Sequence, residues 1–106
     1  AGFCCEIDKS HPTFKRRHSD KNYTETHHLI PLEYSSQFTY TLDTEENIVS
    51  LCSNCHNQIH YGQGAEKLIK QLYEDRIDAL KKAGLGESED GIELDLEQLF
   101  HMYGLK

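Results

Sequence analysis

The sequence lacks any uninterrupted apolar stretch of about 18 residues, the length that a membrane-spanning helix needs, and we therefore expect no membrane partner. Its first residues, Ala1-Gly2-Phe3, lack the basic and apolar regions of a secretory signal, which favours a cytoplasmic protein. No initiator methionine is present. The length of 106 residues suits one domain over residues 1–106, and we expect this domain to be a fragment of a larger protein.

Large apolar side chains are scarce in the first half of the chain, and tryptophan is absent throughout. A segment so poor in core-forming residues usually needs a disulfide or a metal ion to stabilise it. The four cysteines are Cys4, Cys5, Cys52 and Cys55. Adjacent cysteines make a poor half of a disulfide framework, so we predict a metal site in a reducing compartment and keep disulfides as the alternative.

The net charge of −7 argues against a protein that coats nucleic acid through bulk positive charge. Positive charge is nevertheless concentrated at Lys15, Arg16 and Arg17, while residues 87–97 are strongly acidic. The basic cluster is a candidate phosphate-binding surface, although short basic runs are often ordinary solvated surface.

The sequence pattern predicts strands before helices. Residues 13–17 and 22–26 alternate as strands do, with a turn at residues 18–21 between them, and residues 48–51 form a β-branched run. An irregular connection with one helical turn is expected over residues 32–42. Ser53 is a suitable N-cap for a helix over residues 54–61.

Two further helices are predicted near the C-terminus. Apolar residues recur at helical spacing over residues 65–82, and Gly84 is a natural residue to end that helix. A last helix begins at Asp95, where Asp95 and Gln98 are spaced as in a capping box.

Cysteine and histidine spacing indicates two metal sites. Cys52 and Cys55 have the two-residue gap that lets two thiolates bind one zinc ion from a turn. His56 and His60 are four residues apart, so they share one face of a helix and form a workable metal-binding pair. The two pairs need not share an ion, because thiolate sites are closed and structural, whereas a catalytic site keeps open positions.

His27 and His28 are adjacent, and on a strand they would point to opposite faces. Both cannot easily bind the same ion, so one is expected to be a ligand and the other an acid or base. A histidine near its unperturbed pKa is suited to deprotonating water at neutral pH. His18 and His101 lie outside these motifs and are expected at the surface.

Taken together, His27-His28-x-Ile30-Pro31 and the run from Asn47 through Cys52, Cys55 and His56 to His60 resemble the HNH endonuclease signature. The resemblance covers roughly residues 5–61, and residues 62–106 resemble the helical extension of some restriction-type HNH domains. It implies an α+β fold, the ββα-metal finger, with a zinc knuckle, an N-terminal β-hairpin and C-terminal helices.

The resemblance also implies roles for individual residues. His28 matches the general base, and Asn47 matches the residue that orients it through its side-chain amide. His27 and His56 match ligands of a catalytic divalent metal ion, Mg²⁺ or another such as Mn²⁺. His60 matches a third ligand of the colicin-type members, and its role here stays open.

The zinc site departs from the family pattern, because Cys5-Glu6-Ile7-Asp8 stands where zinc-bearing relatives usually have C-x-x-C. Cys5, Cys52 and Cys55 supply three of the four ligands that a tetrahedral Zn²⁺ site needs. His11 is the first choice for the fourth, Asp8 the second and Cys4 the third.

The resulting hypothesis is a metal-dependent endonuclease acting on DNA, with RNA as an open alternative, in a restriction or defence system. The second hypothesis is a non-catalytic zinc-stabilised module that binds nucleic acid or protein. The intact set of His28, Asn47 and His56 favours the enzyme, because a zinc module requires none of them. Target selection is expected to need a homodimer partner or additional domains of the parent chain.

Overall fold

The computed structural model describes residues 4–105, so the signal-peptide prediction for residues 1–3 lies outside the described residues. Its regular elements, in chain order, are β1 (Glu25–His28), β2 (Ile48–Leu51), α1 (Ser53–Tyr61), α2 (Ala65–Lys82) and α3 (Leu96–Met102). Two short 3₁₀ helices, Leu32–Gln37 and Glu45–Asn47, lie in the connection between the strands. Across residues 4–105, no helix combines the length and apolarity needed to cross a bilayer.

The sheet consists of β1 and β2, which pair antiparallel with His27 opposite Val49 and His28 opposite Ile48. The helix α1 follows β2 directly, which gives the ββα order expected from the sequence. β2 has the predicted bounds. It is buried along most of its length, whereas β1 alternates, with His27 buried and Thr26 exposed.

The segment before β1 differs in detail from the predicted N-terminal hairpin. The chain does reverse near residues 18–21, where the Arg16 N–H donates to the carbonyl oxygen of Lys21, and Lys15 bridges to Asn22. No regular strand forms over residues 13–17, because this segment stands out from the core and Phe14 is 63% exposed. The alternating sequence of residues 13–17 was therefore not enough to form a strand, because neither face of the segment is buried.

The helix α2 has the predicted bounds, and its end is locally encoded. Gly84 adopts a left-handed conformation with φ of +80°. The Leu85 N–H donates to the Leu80 carbonyl and the Gly84 N–H to the Lys81 carbonyl, which is the Schellman arrangement. Ile69, Leu72 and Leu80 of α2 are buried in the core shared with the sheet.

The starts of α1 and α3 test two capping predictions. Asp95 caps α3 as predicted, since its carboxylate accepts the Gln98 N–H at 2.8 Å. The prediction of Ser53 as the N-cap of α1 is wrong. Cys52 holds that position and its sulfur accepts the Cys55 N–H, while the Ser53 hydroxyl donates to Glu25.

Asn47 is fully buried and joins three segments of the connection between the strands. Its side-chain oxygen accepts the Ile30 N–H at 2.7 Å, and its amide nitrogen donates to the carbonyl oxygens of Ile30 and Leu42 at 3.1 and 2.9 Å. Its own carbonyl accepts the Leu29 N–H. One side chain therefore satisfies three buried backbone groups that no ladder bond reaches.

We expect Asn47→Ala to lower the free energy of unfolding by about 2–4 kcal/mol, because the three backbone partners would be left buried and unpaired. Urea unfolding followed by circular dichroism measures the loss. The matched control is Asn57→Ala, which removes one exposed bond to the Ser53 carbonyl and should change stability by less than about 0.5 kcal/mol. Equal midpoints for the two variants would contradict this account of Asn47.

Candidate metal centres

The first candidate centre lies where the N-terminal segment meets the start of α1. It contains the sulfurs of Cys5, Cys52 and Cys55 and a ring nitrogen of His11, all within 4.8 Å of one another. The three cysteines are buried. The His11 Nδ1 atom is 3.3 Å from the Cys55 sulfur and 3.8 Å from the Cys52 sulfur.

These donors fit a tetrahedral zinc ion. Ligands at about 2.0–2.3 Å from a common centre stand roughly 3.5–3.8 Å apart, which is close to the separations seen here. Burial and the neighbouring thiols of Cys52 and Cys5 raise the pKa of Cys55. For Cys5, burial opposes ionisation, but hydrogen bonds from the backbone at Cys52 and Asp8 lower the pKa to about 7. A metal ion binds the thiolate form of cysteine and releases its proton, and this cluster could hold zinc.

The two other candidates for the fourth ligand lie outside this group. One Asp8 carboxylate oxygen accepts the backbone N–H and the hydroxyl of Ser10 instead, and those bonds lower the Asp8 pKa. Cys4 is half-buried and is not among the four grouped side chains. All four cysteines are free thiols, so the disulfide alternative is not seen in residues 4–105.

The second candidate centre consists of imidazoles. His27 of β1 and His56 and His60 of α1 place one ring nitrogen each within 4.8 Å of the others. His56 and His60 are one helical turn apart, so both face β1. Burial lowers the pKa of His27 to about 3, with His60 and His56 contributing repulsion, and burial also lowers the pKa of His60. The lowered pKa values favour the neutral forms of His27 and His60, in which an imidazole can bind a cation.

Glu25 fixes the orientation of His56. One carboxylate oxygen accepts from His56 Nδ1 at 2.7 Å, and the other accepts the hydroxyls of Ser53 and Tyr23 at 2.7 and 3.0 Å. The bond from His56, then that from Ser53, lowers the pKa of Glu25. A carboxylate can only accept, so His56 carries its proton on Nδ1 and leaves Nε2 free.

His27 is held in a similar way from the C-terminal end of the chain. Its Nε2 atom is 2.7 Å from the hydroxyl oxygen of Tyr103, and that hydroxyl lies 2.6 Å from the Leu29 carbonyl oxygen. Burial raises the pKa of Tyr103 above its usual range. The residues that follow α3 therefore reach into the imidazole cluster.

His28 follows His27 on β1, so its side chain leaves the strand on the opposite face, as those of adjacent strand residues do. Its Nε2 atom is 2.9 Å from a carboxylate oxygen of Asp43, and its side chain is 24% exposed. Because the carboxylate accepts, His28 carries a proton on Nε2, and in the neutral imidazole the lone pair is therefore on Nδ1.

Asn47 does not contact the imidazole of His28 within the described residues. Its amide bonds to the backbone of Ile30 and Leu42, next to β1 and next to Asp43 respectively. Any influence of the Asn47 amide on His28 is therefore exerted through the backbone, and its role in orienting the base stays a prediction.

The two histidine sites open on one cavity. It has a volume of about 450 Å³, and His27, His28, His60, Leu32, Met102 and Tyr103 are among its lining residues. An extended segment of a linear polymer could therefore contact the imidazole cluster and His28 at the same time.

The basic residues lie in a finger, defined here as residues 13–24, whose residues 14–21 are exposed. Phe14 stacks on Tyr23 with ring centroids 4.9 Å apart, and the Arg16 guanidinium lies 5.1 Å from the centre of the Tyr23 ring. Lys15, Arg16 and Arg17 are all exposed. Tyr23 also donates to Glu25, so the finger is joined to the side chain that orients His56.

Sequence reasoning missed three side chains at these sites, namely Glu25, Asp43 and Tyr103. For Glu25 a signal existed, because it precedes His27 by two residues and so shares its face of a strand. Asp43 and Tyr103 both contact His28, from which they lie 15 and 75 residues away in the sequence. No local sequence pattern predicts contacts over such separations.

Comparison with known proteins agrees with this arrangement. The family model described as HNH endonuclease matches residues 13–62. The chain is also 40% identical over 73 residues to the Type IV methyl-directed restriction enzyme EcoKMcrA of Escherichia coli (strain K12). That alignment covers 68% of this chain but 24% of the relative, so the chain spans about a quarter of the length of the protein that it matches.

The matched residues contain β1, β2, α1, the three clustered imidazoles, His28 and Asn47. They leave out Cys5 and His11 before the match, and α2 and α3 after it. Residues 13–62, just under half of the chain, are therefore similar to the HNH endonuclease family.

Proposed function

We propose that this chain is a metal-dependent endonuclease that hydrolyses DNA phosphodiester bonds as part of a restriction system. One observation carries the proposal: three imidazoles converge on one side of β1, and a further histidine with a free ring nitrogen opens on the same cavity. The printed name of the E. coli relative supports the restriction setting. Residues 5–61 would form the nuclease core and residues 62–106 its extension.

His27, His56 and His60 would hold the catalytic ion. A bound divalent ion would supply positive charge beside the scissile phosphate and the leaving oxygen. Three neutral imidazoles leave coordination positions open for phosphate and water. An all-imidazole donor set favours first-row transition ions, so we expect Mn²⁺ to support activity at least as well as Mg²⁺.

His28 would act as the general base. With Nε2–H donated to Asp43, its Nδ1 atom can take a proton from an attacking water molecule. The Asp43 carboxylate would stabilise the imidazolium that forms. Asn47 would contribute by fixing the backbone at Ile30 and Leu42, which holds the end of β1 and the segment before Asp43 at a constant separation.

Cys5, His11, Cys52 and Cys55 would bind a structural zinc ion. This site has no open position once four ligands bind, so its role would be to join the N-terminal segment to the start of α1. His56 directly follows Cys55, and the zinc site would thereby hold one catalytic ligand in place.

A non-catalytic zinc module is the second candidate function. The oriented imidazoles are the observation against it, because a module that only binds needs neither Glu25 on His56 nor Asp43 on His28. Cleavage assays separate the two hypotheses.

We expect His28→Ala to reduce nicking of supercoiled plasmid by about 10²–10⁴-fold in Mn²⁺ or Mg²⁺, since one general base typically contributes that much. Gel analysis of the nicked and linear forms gives the rates, with EDTA as the metal-free control. His101→Ala is the matched variant, because His101 is exposed on α3 and should leave the rate unchanged.

Two results would contradict this assignment. Equal rates for the wild type and His28→Ala would mean that another group is the base. No cleavage by folded, zinc-containing wild type with any divalent metal would favour the binding module.

The zinc proposal predicts one tightly held Zn²⁺ per chain. Cys52→Ser should abolish zinc retention and cooperative thermal unfolding, because a structural site contributes much of the folding free energy. Cys4→Ser should retain both, since Cys4 is outside the four-residue cluster. Elemental analysis of dialysed protein measures the content. Zinc lost from Cys4→Ser and kept in His11→Ala would move the fourth ligand to Cys4.

The finger is proposed to contact DNA phosphates. In the His28→Ala background, we expect the double variant Lys15→Ala/Arg17→Ala to bind duplex DNA more weakly. The slope of log K against log salt should shrink by about 2, roughly one for each lost phosphate contact. Fluorescence anisotropy across a salt series measures the slope. Lys82→Ala, at the end of α2, is the control. If Lys82→Ala and the double variant had the same slope, the finger would not contact DNA phosphates.

A further inference from the structure

Tyr103 lies at the C-terminal end of α3, well beyond the residues that the HNH family model matches. Its hydroxyl is nevertheless 2.7 Å from the Nε2 atom of His27, one of the three clustered imidazoles. The side chain is half-buried, and its ring centre lies 6.0 Å from that of His27. The contact joins the helical extension to the proposed catalytic metal site.

The direction of this hydrogen bond follows from counting protons. A tyrosine hydroxyl has one proton to donate. Its other neighbours are the carbonyl oxygens of Leu29 at 2.6 Å and His28 at 3.5 Å, and carbonyl oxygens only accept. The short bond to Leu29 takes the proton, so the hydroxyl must accept from His27. His27 therefore carries its proton on Nε2 and has its lone pair on Nδ1.

We propose that Tyr103 is a positioning residue that holds His27 in the Nε2–H tautomer, so that Nδ1 is presented to the divalent ion bound with His56 and His60. The inference rests on the proposed function, because it assumes that this trio binds the metal. Tyr103 acts on His27 as Glu25 acts on His56, and each fixes one ring nitrogen as a donor.

This role gives the extension a part in metal binding. Leu99 is fully buried, and Asp95 caps the helix that carries it, so α3 is fixed against the core. The Tyr103 N–H donates to the Phe100 carbonyl, which continues the last turn. The position of the hydroxyl, and with it the tautomer of His27, is thereby set by a part of the chain that the family signature does not include.

The test uses the full chain with its zinc and compares Tyr103→Phe with Tyr73→Phe. Tyr73 is the matched control, because its hydroxyl donates to the Leu94 carbonyl at 3.0 Å and contacts no histidine of the cluster. Both variants lose one tyrosine-to-carbonyl bond. A purely structural role of Tyr103 would therefore give the two variants the same phenotype.

Long-range ¹H–¹⁵N correlation spectra of the histidine rings report the tautomer without a catalytic ion. We expect the Nε2–H form of His27 to predominate in the wild type and in Tyr73→Phe, and a mixture of tautomers in Tyr103→Phe. Titration calorimetry with Mn²⁺ should show binding about 10–100-fold weaker for Tyr103→Phe alone, the loss typical of an outer partner of a metal-binding histidine.

Two outcomes overturn the inference alone, and a third overturns the proposed function together with it. One is an Nδ1–H tautomer of His27 in the wild type, a measurement that requires no variant to fold. The other is a Tyr103→Phe protein that keeps the His27 tautomer and the Mn²⁺ affinity of a wild type that binds Mn²⁺. That result would leave the proposed function unaffected. Wild type that neither binds Mn²⁺ nor cleaves DNA instead removes the metal site, and the inference with it.

Discussion

The side-chain amide of Asn47 is the interaction on which the rest of the site depends. The sheet has only two strands of four residues each, and such a ribbon has little stability of its own. Asn47 adds three buried hydrogen bonds at the open end of this ribbon, and they fix the backbone at Ile30 and Leu42. The histidines of β1 and the segment that leads to Asp43 are held relative to each other as a result.

A second feature of the molecule is that three histidines each have one ring nitrogen bonded to an oxygen. Glu25 holds His56, Asp43 holds His28 and Tyr103 contacts His27. Each oxygen comes from a different part of the chain. A histidine so held has one defined nitrogen available, and this is what separates an ordered site from a chance cluster of imidazoles.

The two candidate metal centres are mechanically linked, because both draw on the first turns of α1. Cys55 faces the sulfur cluster and His56, the next residue, faces β1. Cys52 caps the same helix through its sulfur, so the helix start, the sulfur cluster and the imidazole cluster share one short segment. Movement at the sulfur cluster would displace His56 as well, so the position of the imidazole cluster depends on that of the sulfur cluster.

The sequence by itself determined the features that depend on neighbours within a few residues. The bounds of α2, its end at Gly84, the cap at Asp95 and the grouping of Cys52 with Cys55 all follow from local spacing, since helix periodicity and capping act over three or four residues. Tertiary structure alone decided the direction in which the Asn47 amide points and the failure of residues 13–17 to extend the sheet. The contact between His27 and Tyr103, which are 76 residues apart, was also decided by tertiary structure. Such contacts arise when separate elements pack together, and no local sequence pattern predicts them.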